Sequence, residues 1–225
     1  MIESAETTTN ALARENMIQR QIRPWNVLEP RVLDTLARVP REAFVAERFR
    51  RMAYSDLQLP IGHGEVMMEP RVEARMLQEL DPQPDERALE VGTGSGFITA
   101  CLAHLTGNVT SVELHADLLD SARQRLAGQG LDRAVRLERG DAALGWSDGQ
   151  HYDVIAITGS LPELHQGFHT NLTLGGRLFV IVGSGPMMEA LCITRTGPNA
   201  WSTHSAFDTS VPALRNLPTR SDFVL

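Results

Sequence analysis

Gly92, Gly94 and Gly96 alternate in Leu89-Glu90-Val91-Gly92-Thr93-Gly94-Ser95-Gly96-Phe97, where a short apolar run meets a helical pattern carrying Ile98, Ala100, Cys101, Leu102 and Leu105. Glycines at a strand-to-helix turn accept positive φ and let the backbone approach a ligand closely. The helix start behind them offers unpaired N–H groups. The chemistry these features suit is nucleotide binding. A dinucleotide is disfavoured, because its fingerprint is G-x-G-x-x-G/A with a small last residue, and Phe97 stands in that slot. Glu90 sits two places before the first glycine, and Glu113 ends the next strand, Val109-Thr110-Ser111-Val112, where a carboxylate can accept both ribose hydroxyls. Gly140-Asp141 follows the alternating strand Val135-Arg136-Leu137-Glu138-Arg139, an acid placed to accept from an adenine amino group.

Ligands of open α/β sheets bind at the C-terminal ends of the strands, and these three features stand at the ends of three successive predicted strands. In this order they resemble the S-adenosylmethionine site of class I methyltransferases. The resemblance implies cofactor contacts from Glu90, Gly92, Thr93, Gly94, Ser95, Gly96, Glu113, Leu114, Asp141, Ala142 and, more loosely, Thr158. S-adenosylhomocysteine is the product it implies.

Around the site the chain reads as one domain. Its 225 residues can bury a core without staples, and 42% apolar with 22% charged residues is ordinary for a globule. A net charge of −7 argues against a nucleic-acid partner. Cys101 and Cys192 fall inside a helix and a strand pattern and read as buried thiols of a reducing compartment. Residues 1 to 10 hold no apolar run, and no stretch approaches a membrane span, so the expectation is a cytoplasmic chain.

Residues 1 to 10 read as a frayed start. Ala11, Ile18 and Ile22 share a helix face that Pro24 ends; Pro30 opens a second helix with the stripe Val32, Leu36 and Val39, stopped by Pro40. Residues 41–52 predict a third short helix with Phe44 and Phe49, 59–70 a loop rich in Gly and Met, and 71–80 a helix. Alternating strands and helices follow, with central parallel strands at 152–158 and 176–182 and a hairpin, 190–196 and 200–207, turning at Gly197-Pro198-Asn199.

The chain is similar to the protein-L-isoaspartate O-methyltransferase family from about Met17 to Ile181. The residues carrying the similarity are Val39-Pro40-Arg41-Glu42-Ala43-Phe44-Val45, Ala53-Tyr54-Ser55-Asp56, Leu59-Pro60-Ile61-Gly62-His63-Gly64, the glycine loop, Ser111-Val112-Glu113, Gly140-Asp141 and Gly175-Gly176-Arg177-Leu178. The resemblance implies an α/β Rossmann-like class I methyltransferase fold. Its mostly parallel seven-stranded sheet would carry helices on both faces, an N-terminal helical extension and a C-terminal β-hairpin. Residues 1–80 would form the extension and acceptor loop, and 81–225 the cofactor-binding core, as one domain. The implied reaction is methyl transfer to isoaspartyl carboxylates of damaged protein.

One segment departs from the family. Between Gly64 and Pro70 the family pattern is Gln-Thr-Ile-Ser-Gln; this chain has Glu65, Val66, Met67, Met68 and Glu69. The family's Thr position is Val66 and its active-site Ser position is Met68, so two hydroxyls are gone. Phe97 replaces a family Tyr, and the segment from Ser205, with Phe207-Asp208, Leu214 and Phe223-Val224-Leu225, matches weakly. Glu65 or Glu69 facing the pocket would repel a carboxylate acceptor and would suit a small-molecule hydroxyl or amine as general base. A cofactor-binding module without catalysis is the third reading.

Several other residues carry alternatives. Met67 and Met68 either line an apolar acceptor pocket or fill core under the loop. His63 reads as a surface loop residue. His165 and His169 offer a metal-type i, i+4 pair, but no third ligand is spaced for it, and a solvated helix face is favoured. Trp25, Trp146 and Trp201 read as packing. Arg20, Arg23, Arg31, Arg38 and Arg41 read as a solvated basic face.

Overall fold

The computed structural model describes residues 2–217; the weakly matching Phe223-Val224-Leu225 lies outside the described residues. The start is not frayed: helix α1 spans Ile2–Met17 and continues through a π-turn, Ile18–Ile22, and a 3-10 turn, Arg23–Trp25. Helix α2, Pro30–Arg38, opens with proline at its first turn and is capped by the Glu29 side chain, which accepts from Arg31 N. Residues 41–52 form two 3-10 segments, Arg41–Phe44 and Glu47–Met52, rather than one helix.

The Gly- and Met-rich loop is a small hairpin, β1 (Leu59–Gly62) paired antiparallel with β2 (Glu65–Met67). Its turn residues His63 and Gly64 have φ of 55° and 79°. Positive φ at both central positions is the tight-turn geometry that matches the twist of paired strands. Helix α3, Pro70–Leu80, then leads into the main sheet.

That sheet is built from β3 (Ala88–Val91), β4 (Val109–Glu113), β5 (Val135–Arg139), β6 (Tyr152–Leu161), β7 (Leu172–Val182), β8 (Met188–Gly197) and β9 (Ala200–Thr209). Their order is β5-β4-β3-β6-β7-β8-β9, parallel as far as β7 and antiparallel across the last two pairings. Helix α4 (Phe97–Thr106) follows β3 and α5 (Ala116–Gly128) follows β4. The strand order reverses at β3, and such a switch point opens a crevice at the C-terminal strand ends.

Two apolar clusters hold the fold. One joins the N-terminal helices, the hairpin, α3 and α4 to one sheet face, with Phe44, Leu77 and Phe97 buried; the other, with Leu89, Tyr152 and Phe168, covers the opposite face. Trp25 packs edge-on against Phe207, and Cys101 and Cys192 are both buried. Among the described residues no helix is long and apolar enough to cross a membrane.

Candidate active site

The crevice at the switch point holds an open cleft. Its floor is Val91, Gly92 and Gly94 after β3, and its wall is Val112, Glu113, Leu114 and His115 at the end of β4. Gly140, Asp141 and Ala142 after β5 and Thr158 of β6 complete it. Three strand ends foreseen as converging do converge.

The two acids are oriented by backbone. Glu113 Oε2 accepts from Gly94 N at 2.8 Å and Oε1 from His115 N at 2.9 Å. Each oxygen keeps a second lone pair for a ligand hydroxyl. Asp141 Oδ1 accepts from Ala143 N at 3.0 Å, and Oδ2 from the Asn216 amide at 2.8 Å. Carboxylates fixed this way are pre-set hydrogen-bond acceptors facing the cleft, beside Leu114, Ala142 and Leu214.

The glycine loop works by shape rather than by free donors. Gly92 N and Thr93 N bond Val112 O, Gly94 N bonds Glu113, Gly96 N bonds Thr93 O, and Phe97 N bonds Ser95 Oγ. The cradle of open amides expected from the sequence is thus largely spent internally. At Gly92, φ is 96° and an added Cβ would lie 2.4 Å from Thr158 Oγ1. Thr158 sits at an irregularity in β6 between Ala156 and Ser160, and donates to Val91 O and Gly92 O at 2.9 and 2.6 Å. The bulge therefore turns a hydroxyl onto the loop and holds its backbone against the cleft.

Four predicted contacts, Glu90, Thr93, Ser95 and Gly96, do not line this cleft. Glu90 is fully buried behind the loop, accepting from Thr99 and Ser111 hydroxyls at 2.5 Å each, with Oε1 unpartnered. Burial pushes its carboxyl up to about 8, against those two donors. Gly96 faces α5, where a Cβ would meet Ala122 Cβ at 3.2 Å; it is small for packing. Thr93 and Ser95 border a second, smaller cavity with Val66, Met67, Met68 and Glu73, which shares Gly92, Gly94 and Thr158 with the main cleft. Met67 and Met68 are nearly fully buried, as core filler would be, and also border this cavity.

The two loop glutamates differ. Glu65 lines the main cleft and accepts from Arg215 Nε at 2.5 Å. Glu69 lines neither cavity and is held by the Gln58 amide at 3.3 and 3.2 Å.

Sequence reasoning missed the cover. Residues Val211 to Arg215 cross the mouth, anchored by a parallel bridge between Ser160 and Ala213. Irregular chain that lines a site mainly by its position leaves no periodic signal. It also missed His115, whose ring stacks on His63 at 4.0 Å between centroids. His63, at the hairpin tip, in turn meets Asp117 at 2.9 Å. The histidine pair was misplaced too. His169 is buried against Trp201, and His165 Nε2 meets Ala143 O at 2.9 Å beside the cleft wall. Among the described residues no group of three or more His, Cys, Asp or Glu could hold a metal ion. Arg41 is likewise buried, not solvated.

Relatives fit this geometry. The family model described as Protein-L-isoaspartate(D-aspartate) O-methyltransferase matches residues 12–205. Protein-L-isoaspartate O-methyltransferase 1 of Rhodopseudomonas palustris is 41% identical over 194 residues, covering 86% of this chain and 79% of the relative. The Methylorubrum populi protein-L-isoaspartate O-methyltransferase is 37% identical, covering 91% and 96%. A crystal structure of a putative Plasmodium falciparum protein-L-isoaspartate O-methyltransferase with S-adenosyl-L-homocysteine superposes with a TM-score of 0.76 at 20% identity, covering 92% and 98%, which supports the fold. The chain belongs to the protein-L-isoaspartate(D-aspartate) O-methyltransferase family.

Proposed function

We propose that this chain is an S-adenosylmethionine-dependent methyltransferase acting on the free carboxylate of isoaspartyl residues in damaged protein. When bound, S-adenosylmethionine supplies an electrophilic methyl group on sulfur. Glu113 would accept the ribose hydroxyls and Asp141 the adenine amino group. Leu114 and Ala142 would flank the base, while Gly92 and Gly94 would let the backbone close on the adenosyl chain, with Thr158 behind them. The hairpin, with Val66, Met67 and Met68, presents the acceptor where the two cavities meet.

A carboxylate is ionised and nucleophilic at pH 7, so no general base is needed, and the task is alignment and exclusion of water. The observation that carries this reading over the alternatives is the disposition of the loop acids. The charge of Glu65 is opposed by Arg215, and Glu69 is turned away onto Gln58. A carboxylate acceptor therefore meets a Glu65 charge opposed by Arg215 and no Glu69 side chain on either cavity wall, and an acceptor needing deprotonation finds no free loop base there. The apolar lining by Val66, Met67 and Met68 is what favours the second reading, a different acceptor on the same scaffold.

Labelled methyl transfer to an isoaspartyl peptide tests the proposal. Restoring the loop hydroxyls with Val66→Thr and Met68→Ser should raise kcat/KM by up to about 10²-fold, the scale of a positioning contact. A double variant that binds S-adenosylhomocysteine yet transfers no label would leave the isoaspartyl reading without support.

A further inference from the structure

Arg41 is 1% exposed and stands where four segments meet. Its Nε donates to Ala53 O at 2.8 Å, its Nη2 to Met68 O at 2.7 Å, and its Nη1 to the Glu73 carboxylate. Its guanidinium carbon lies 4.8 Å from the centre of the Phe97 ring, at the first residue after the glycine loop. One planar cation thus spans the turn at Ala53, the acceptor loop at Met68, helix α3 and the start of α4.

Burying an Arg–Glu pair removes two charges from water and returns little net stability; apolar side chains of similar volume often serve stability as well or better. Burial pushes the Glu73 carboxyl upward even against the lowering by Arg41. What hydrocarbon cannot supply is a rigid fork of donors aimed at fixed acceptors. Here one of those acceptors is the backbone carbonyl of Met68, at the position where the family pattern places its active-site Ser. Met68 and Glu73 also border the small cavity beside Gly92 and Thr158.

We propose that Arg41 is a positioning residue for methyl transfer: it sets the acceptor loop against the glycine loop through the Met68 carbonyl, and Glu73 holds the guanidinium in plane. The inference rests on the acceptor assignment above. In a loop that has lost two hydroxyl side chains, backbone placement carries a larger share of acceptor alignment. A lysine keeps the charge but has no planar fork to serve Ala53 O, Met68 O and Glu73 together.

The test is an Arg41→Met/Glu73→Leu double variant, which leaves no lone buried charge, with Arg41→Lys as a second variant. Three readouts separate positioning from architecture. Unfolding temperature and S-adenosylhomocysteine affinity should hold within about twofold in Kd, while kcat/KM on an isoaspartyl peptide falls about 10- to 100-fold, mainly in kcat. Hydrogen exchange should quicken in the 59–67 hairpin and stay slow in β3 and β4. Arg41→Lys should give the same pattern at smaller amplitude, and it decides the matter if the double variant does not fold. Unchanged kcat/KM and hairpin exchange would overturn the proposal. So would loss of protection spread evenly over the sheet with loss of ligand binding. If the parent protein binds S-adenosylhomocysteine but labels no isoaspartyl peptide, the acceptor assignment fails by itself, and hairpin exchange still judges Arg41.

Discussion

We propose that Glu113 is a ribose-binding group set before any ligand arrives. Its oxygens are each held by one backbone N–H, so ligand hydroxyls would meet acceptors that need no reorganisation. Glu113→Gln should weaken S-adenosylhomocysteine by about tenfold or more, the worth of a charge-assisted hydrogen bond, measured by titration calorimetry. Equal affinity would remove Glu113 from the ribose role. Glu90, two places before the loop, has a different consequence. Its carboxyl is raised from 4.5 to about 8 in the folded chain, so the folded state holds that proton more tightly than the unfolded one. Its contribution to stability is complete below about 4.5 and is lost as pH climbs toward 8. The urea midpoint should fall from pH 5 to pH 8, and Glu90→Gln should flatten that fall; an unaltered slope would refute the assignment. The place of Glu113 at the cleft was legible because it ends the strand that follows the glycine loop and its helix. Arg41 was not, since its partners at Ala53, Met68 and Glu73 are far from it in sequence and nothing local marks an arginine as buried.

The hairpin at 59–67 lines both cavities through Ile61 and Val66, and we propose that the acceptor side depends on it. Strands of three and four residues are too short to declare a period of two, and His63-Gly64 hides a two-residue turn that Asn-Gly would have announced. Gly64 has φ of 79°, and an added Cβ would come within 3.1 Å of the Arg215 side chain. Gly64→Ala should therefore loosen the hairpin at a cost of about 1–3 kcal/mol, cutting methyl transfer more than S-adenosylhomocysteine affinity. Equal losses in both would show that the hairpin serves the cofactor instead. Strands β6 and β7 were legible because burial on both faces gives continuous apolar runs. The segment 41–52 was misread because its apolar residues fit a helix, whereas its chain breaks into two 3-10 turns at Val45 and Ala46.

At the scale of the molecule, strand order sets everything else. Reversal at β3 brings Gly92, Glu113, Asp141 and Thr158 to one crevice, although 67 and 66 residues separate Thr158 from its partners Val91 and Gly92. The sheet was legible from alternation; the cover over the cleft, made by Val211 to Arg215, was not. We propose that residues 1–80 and 81–217 unfold as one domain, since the larger apolar cluster joins them. Thermal unfolding should then be a single transition. S-adenosylhomocysteine at about a hundred times Kd should raise its midpoint by about 5–10 °C. Two transitions, only one of them ligand-sensitive, would contradict this. The most direct measurement is labelled methyl transfer by the parent protein to an isoaspartyl peptide and to its aspartyl twin. The account predicts a base-labile methyl ester on the isoaspartyl peptide and none on the twin. Binding of S-adenosylhomocysteine with no label on the isoaspartyl peptide, or equal labelling of both, would contradict it.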